Sequence, residues 1–183
     1  MNYETITGVR IIGIGHKARH GKDVTANAIL EKLERSAKKY SFADDLKAFA
    51  RVLGMRSKDG PLLQALGTNV LRRLNSDIWI ECLYTRLQEE QPTTAIISDV
   101  RFPNEAQFIK DLGGIMIRVD RYNPDDTLFI SPDRPADHPS ETALDGYKDW
   151  DFILTAKDGR VDLLTAAAHQ LVEQFLGTDN HVV

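Results

Sequence analysis

Cysteine is nearly missing from the 183-residue sequence: Cys82 is the single one. No internal disulfide can form, and no zinc centre built from several cysteines is possible. With Ile80, Leu83 and Leu87 nearby, Cys82 reads as a small buried hydrophobe. An excess of positive charge is missing too. Lys and Arg number 23 against 27 Asp and Glu, a net charge of −4, which argues against a nucleic-acid-binding surface as the main role. Local cationic pockets remain open. No apolar run approaches the ~20 residues a membrane span needs. Residues Met1 to Thr5 have neither the basic region nor the apolar core of an export signal. The expected location is the cytoplasm, without a nucleic-acid or membrane partner. Internal repeats and low-complexity tracts are absent.

What is present is ordinary in amount, with 42% hydrophobic and 27% charged residues, as in soluble globular proteins. The length fits a single domain over 1–183 with a sizeable core. The distinctive stretch is Ile11 to Asp23. A short apolar run (Ile11, Ile12, Ile14) enters a turn rich in glycine and cations, then leaves through Gly21-Lys22 into a helical pattern over Val24 to Leu33. Strand, tight loop and Gly-Lys at a helix start form the layout of a phosphate-binding loop. Backbone N–H groups converge on phosphate oxygens, the helix N-terminus adds partial positive charge, and the lysine reaches the terminal phosphates. Two positions depart from the usual pattern of Gly, four residues, then Gly-Lys-Ser/Thr. His16 stands at the first glycine, with Gly15 one residue earlier. Asp23 stands at the hydroxyl that normally ligates Mg²⁺; it could hold the ion through water or cap the helix. A strand-turn-helix whose glycines merely permit the turn is the plainer alternative.

Further along, strands are expected at Arg10–Ile14, Lys39–Phe42, Thr94–Ser98, Ile115–Val119 and Asp151–Leu154. Helices are expected at Ala43–Ala50, Leu62–Leu74, Asp77–Glu89, Asn104–Leu112 and Val161–Phe175, with a loop over Leu53–Gly60 and a frayed tail from Gly177. Asp44 or Asp45 can serve the N-terminus of the Ala43 helix. Asp44, Lys47 and Arg51 share one face of it, which on its own reads as a solvated charged stripe. The apolar run at Thr94–Ser98 suits a strand buried on both faces of a parallel sheet. Asp99 and Arg101 follow at its carboxyl end, where open α/β sheets bind ligands. There Asp99 can hold Mg²⁺ or orient a nucleophile, and Arg101 can fork onto phosphate. Asp99 could instead cap the next helix with Arg101 as its partner. Residues 120–148 hold four of the seven prolines, together with Arg121, Arg134, His138, Ser140 and Glu141. So long an irregular cationic stretch suits a substrate-closing lid. Alternating strands and helices give a mostly parallel five-stranded sheet with helices on both faces.

Seven stretches together resemble the phage-type deoxynucleoside monophosphate kinases. They are Gly-His-Lys-Ala-Arg-His-Gly-Lys-Asp (15–23), Ser-Phe-Ala-Asp-Asp-Leu-Lys (41–47), Leu-Leu-Gln-Ala-Leu-Gly-Thr (62–68) and Asp-Ile-Trp (77–79). Ser-Asp-Val-Arg-Phe-Pro-Asn-Glu (98–105), the most specific, Gly-Gly-Ile-Met-Ile-Arg-Val (113–119) and His-Pro-Ser-Glu (138–141) complete the set. Gly-Lys-Asp is itself a habit of that family, whereas His16 and Val24 depart from its commoner Gly and Thr.

The resemblance implies a P-loop kinase fold with a mobile lid and transfer of the γ-phosphoryl of ATP to a deoxynucleoside monophosphate. Lys17, Ala18, Arg19, His20, Gly21, Lys22, Asp23 and Val24 would surround the ATP phosphates, with Mg²⁺ near Asp23 and Asp99. The catalytic set would be Lys22, Asp99, Arg101 and Arg134. Lys47, Arg72, Arg73 and Arg101 would converge on the acceptor phosphate, and Phe42 or Trp79 would offer the base a stacking face. Arg121, Arg134, His138 and Glu141 would arrive with the lid. Each has a duller rival: Trp79 as core, one of Arg72 and Arg73 turned to solvent, His138 satisfied by its own backbone, and Glu105 as a helix-start acid or an arginine partner. The helices could support a homodimer, and a phage-encoded chain would work in the host cytoplasm. The rival functions are another small-molecule P-loop kinase, such as a dephospho-coenzyme-A or ribonucleotide kinase, and a non-catalytic nucleotide-binding module.

Overall fold

Alternation along the strands decides the architecture. In a strand, successive side chains face opposite sides of the sheet. Ile11, Ile97 and Met116 accordingly pack on one face with Trp79, Leu83, Leu87, Phe108 and Ile109. Ile12, Ile14, Ile96, Ile117 and Val119 pack on the other with Ala26, Ile29, Leu164, Ala168 and Leu171. Both faces are apolar, so the sheet needs a helical layer on each. The computed structural model describes residues 3–55, 62–63, 65–132 and 135–176. Within it, β1 (Arg10–Gly15), β2 (Ala37–Tyr40), β3 (Thr94–Val100), β4 (Ile115–Tyr122) and β5 (Phe152–Lys157) form one sheet. Their order is β2-β3-β1-β4-β5 and every pairing is parallel.

Helices α1 (Lys22–Leu33) and α6 (Val161–Leu171) cover one face. Helices α3 (Ile78–Glu90) and α4 (Pro103–Asp111) cover the other. Helix α2 (Ala43–Val52) follows β2, and the short α5 (Pro139–Thr142) lies in the segment between β4 and β5. Leu83 and Leu87 are fully buried, and truncating either to alanine should cost about 2–5 kcal/mol.

Several boundaries differ from the sequence expectation, each for a visible reason. β3 continues to Val100 because Gly15 pairs with that residue after a register shift, which puts Asp99 inside the strand. β4 continues to Tyr122 because Asp120, Arg121 and Tyr122 pair with Thr155, Ala156 and Lys157 of β5. The irregular segment therefore starts after Tyr122, not at Asp120. β2 lies earlier than expected, ending at Tyr40, because the Phe42 amide turns to a carboxylate of β3 instead of a strand neighbour. In place of one helix over 62–74, a wide π-type turn (Ala65–Leu71) runs into Arg72–Leu74. Gly67 sits in that turn, and its carbonyl accepts the Trp79 indole N–H at 3.3 Å. Among the described residues no helix is long and apolar enough to cross a membrane.

Candidate active site

The carboxyl ends of β1, β2 and β3 open into a cleft of about 770 Å³. At its floor is the turn from His16 to Lys22. His16, Arg19 and Gly21 all have positive φ, at 94°, 58° and 102°, a conformation in which successive N–H groups curl toward one point. Gly21 cannot be replaced without strain, because a Cβ there would also strike Leu164 Cδ2. Helix α1 starts at Lys22 with no side-chain cap, so its first-turn N–H groups have no side chain serving them.

Lys22 is buried, and its ammonium donates to the carbonyls of His16 (3.1 Å) and Lys17. Burial first, and the nearby Arg101 charge second, bring its pKa down to about 7. Asp23 is exposed. Its Oδ1 accepts Lys39 Nζ at 2.6 Å and the Ser98 hydroxyl at 3.4 Å. Desolvation by the neighbouring groups works against the charged form, but Lys39 outweighs this and holds the carboxyl below its ordinary range.

His16 fills the first-glycine position because β4 and the residues after α5 supply partners for its ring. Nδ1 lies 2.6 Å from Asp120 Oδ1, and Nε2 lies 3.5 Å from Asp145 Oδ1. Asp120 also takes Arg118 Nε at 2.7 Å. Burial alone would raise the Asp120 carboxyl, but the His16 hydrogen bond, His20 and the Arg118 charge hold it well below the usual carboxylate range. His16, His20 and Asp120 are close enough to suggest a metal cluster, yet the His20 nitrogens already face the Phe129 carbonyl (2.9 Å) and the Arg121 N–H (3.2 Å). That donor set is a hydrogen-bonded brace for the turn. Behind it lies a second cavity of about 400 Å³, lined by His16, Lys17, Arg118, Phe129, Glu141 and Asp145 among others.

The far wall of the cleft comes from α2, the 65–74 turn and the start of α4. Buried Glu105 organises it, accepting the Arg101 N–H (2.7 Å), the Phe102 N–H (3.1 Å) and an Arg72 guanidinium N–H. Burial pushes the Glu105 carboxyl up, with Arg72 opposing. The Arg72 guanidinium also stacks over the Phe102 ring, 4.5 Å from its centroid. Phe42 and Trp79 are both core residues and both reach the cleft wall. Lys47 lines the cleft, paired with Asp44 at 3.1 Å. Asp99 also lines it, with its oxygens taken by the Ser41 hydroxyl (2.6 Å) and the N–H groups of Phe42 (2.9 Å) and Ala43 (3.1 Å). It thus serves the start of α2, not the start of α4.

Glu141 joins the turn to this wall. Its Oε2 accepts the Ala18 N–H at 2.8 Å and its Oε1 accepts Arg101 Nη1 at 2.7 Å. Lys17 donates to the Glu141 carbonyl (2.7 Å) and to Asp145 (2.5 Å).

Of the residues singled out from sequence, Arg19, Gly21, Lys22, Asp23, Val24, Phe42, Lys47, Arg72, Trp79, Asp99 and Arg101 all line one cleft. Lys17, Ala18, His20 and Glu141 stand beside it. Arg73 is exposed and outside the lining, as adjacent helix positions require. Arg121 is also away from the cleft, over the Phe129 ring and paired with Asp158. His138 caps α5 by accepting the Ser140 N–H at 3.1 Å. Arg134 lies outside the described residues, as do part of the 53–60 loop and the tail. Lys39, Phe102, Asp120 and Asp145 were missed. Only Lys39, at the carboxyl end of a strand, carried a local signal. Among the described residues the cleft gathers six cations against four carboxylates, although the whole chain is acidic.

A family model described as deoxynucleotide monophosphate kinase matches residues 60–166. This chain belongs to that family. A provisionally named deoxynucleotide monophosphate kinase of Acanthamoeba polyphaga mimivirus is 32% identical, with 79% of this chain and 86% of the viral protein covered. The deoxynucleoside-5′-monophosphate kinase of Escherichia phage T5 is 32% identical over 89 residues, spanning 45% of this chain but 33% of the phage enzyme. Solved structures extend the likeness of fold alone. Shikimate kinase from Acinetobacter baumannii, in complex with shikimate, superposes with TM-score 0.55 at 15% identity, covering 94% of this chain and 96% of that one. The Deinococcus radiodurans tunicamycin resistance protein superposes with TM-score 0.53 at 18% identity, covering 91% and 95%. The deoxynucleotide monophosphate kinase chain thus has the P-loop kinase fold expected of it.

Proposed function

We propose that this kinase transfers the γ-phosphoryl group of ATP to the 5′-phosphate of a deoxynucleoside monophosphate, giving ADP and the diphosphate. The observation that carries this reading is that Lys22, Arg72 and Arg101 line the same cleft. One cation belongs to the turn at the cleft floor, and the other two stand on the far wall, held in place by Glu105 and Glu141. An oxygen of the acceptor phosphate attacks Pγ while the bond from Pγ to the β–γ bridging oxygen breaks, and the electron pair leaves with ADP. The acceptor phosphate is already ionised near neutral pH, so no general base is required. The protein's tasks are in-line positioning and charge neutralisation.

The 18–23 amides and Lys22 hold the donor phosphates, with Lys22 following the transferred group. Arg72 and Arg101 hold the acceptor phosphate, Lys47 adds charge along the same wall, and Trp79 and Phe42 border the base. A divalent cation bound with ATP would supply further charge neutralisation. Asp23 is the carboxylate suited to hold it, since Lys39 and Ser98 both engage its Oδ1 and the residue is exposed to the cleft. The oxygens of Asp99 already serve Ser41, Phe42 and Ala43, so Asp99 fits best as the residue that aligns α2.

The test is phosphoryl transfer from ATP with Mg²⁺, scored against the common deoxy- and ribonucleoside monophosphates, with shikimate and dephospho-coenzyme A as controls. Turnover is expected with at least one deoxynucleoside monophosphate. Turnover confined to the controls, or none at all, overturns the reading.

A further inference from the structure

Glu141 occupies an unusual place for a carboxylate. It is 7% exposed, one oxygen is held by a phosphate-loop amide at 2.8 Å, and the other is held by the Arg101 guanidinium at 2.7 Å. An amide N–H and an arginine are the donors that a phosphate oxygen seeks. The Ala18 N–H cannot serve a carboxylate oxygen and a phosphate oxygen in one place, and the two hydrogens of Arg101 Nη1 are both engaged, one by Glu141 and one by the Ser140 carbonyl at 3.2 Å. Two anions pressed together in a partly buried pocket also repel strongly.

We propose that Glu141 is a latch between the two nucleotide seats, standing in for a phosphate oxygen until either nucleotide displaces it. This rests on the donor–acceptor reading above and adds a coupling to it. When the donor phosphates take the Ala18 amide, Glu141 lets go and Arg101 becomes available to the acceptor phosphate. When the acceptor takes Arg101, the same carboxylate loses its guanidinium partner and the loop opens to ATP. Each nucleotide therefore binds more tightly when the other is present, by the same factor in both directions. Release does not require the surrounding segment to move. Helix α5 stays tied to the loop through Lys17, which grips the Glu141 carbonyl and Asp145, so rotation of the Glu141 side chain is enough.

The test measures binding of a non-hydrolysable β,γ-imido analogue of ATP, alone and with the deoxynucleoside monophosphate that the wild type phosphorylates fastest. In the wild type, the monophosphate should tighten analogue binding at least fivefold, the lower end of ordinary coupling. In E141Q the analogue alone should bind roughly tenfold tighter, the worth of one charge-assisted hydrogen bond, and the added monophosphate should change little. Unchanged affinity for the analogue alone, or coupling as large as in the wild type, overturns the latch. A fall in kcat with a raised acceptor KM and no change in analogue affinity also overturns it, because Glu141 would then only position Arg101. Should E141Q not fold, E141D carries the same reading. Its carboxylate is one methylene too short to bridge Ala18 and Arg101, so the analogue alone must again bind more tightly than to wild type, and equal affinity refutes the latch. Failure of the underlying reading looks different: the wild type phosphorylates no monophosphate, while the analogue-alone comparison still decides whether Glu141 blocks the loop.

Discussion

His16 Nδ1 and Asp120 Oδ1 lie 2.6 Å apart, both side chains buried, across 104 residues of chain. A histidine with φ of 94° costs backbone energy that a glycine would not. The carboxylate offsets that cost by holding the ring, so the loop keeps its shape without the glycine that its pattern favours.

Asp120→Asn should weaken this brace. The amide keeps the size of the carboxyl but loses its charge, leaving His16 and Arg118 poorly paired. A loss of about 1–3 kcal/mol is expected, lowering Tm by roughly 2–10 °C, together with a raised KM for ATP. The acid limb gives a second readout. The Asp120 carboxyl is depressed in the folded state, so its stabilising contribution is present above the unfolded value near 4 and is lost as pH falls below it. Wild type should therefore lose more stability than the variant on going from pH 5 to pH 3. Identical acid profiles would mean that the pair contributes nothing.

Lys22 should take up a proton when ATP binds. With its pKa at about 7 in the ligand-free chain, the amine is mostly neutral at pH 8, and a polyanion restores its charge. Calorimetry in buffers of different ionisation enthalpy should report on the order of one proton per ATP at pH 8. The Lys22→Met variant should show none, and its turnover should fall by roughly three orders of magnitude or more. The same substitution should stabilise the ligand-free protein. Because the folded pKa lies below the unfolded value of 10.5, the penalty for burying the ammonium is full below about pH 7 and fades toward pH 10. The gain in Tm should follow that trend. A gain that grows with pH would contradict the assignment.

Arg72→Lys keeps the charge but loses the planar fork onto Glu105 and the stacking on Phe102. The acceptor KM should rise roughly tenfold or more, as expected for a lost charged hydrogen bond, while the KM for ATP moves less than about twofold. Equal changes in both constants would make Arg72 part of the scaffold and not of the acceptor seat.

Much of this was legible in the chain because it is local. Gly21-Lys22 at a helix start and Asp99-Val-Arg101 at a strand end each announce themselves within a few residues, and the apolar runs fix a parallel sheet. The braces were not legible because they join residues far apart in sequence. Nothing near His16 says that Asp120 will stand opposite it, and nothing near Ala18 says that Glu141 will meet its amide. The 62–74 segment shows the other limit. Its apolar spacing reads as a plain helix, but the Trp79 indole and Gly67 carbonyl meet there and the backbone widens. For a similar reason the alternative reading of Asp99 as a cap on the next helix does not hold: its carboxylate reaches sideways to the neighbouring strand's exit.

The strand order carries a consequence for how such an enzyme can diversify. Among the described residues the far wall comes from residues 37–105, on the β2–β3 side of the central strand, while the braces of the turn come from β4 and the chain beyond it. A lineage could therefore redraw its taste for nucleobases by altering one contiguous stretch, so long as Lys39, Ser98 and Arg101, through which that stretch meets Asp23 and Glu141, are kept. A graft exchanging residues 37–105 between two such enzymes would carry the preference of its parent along with it.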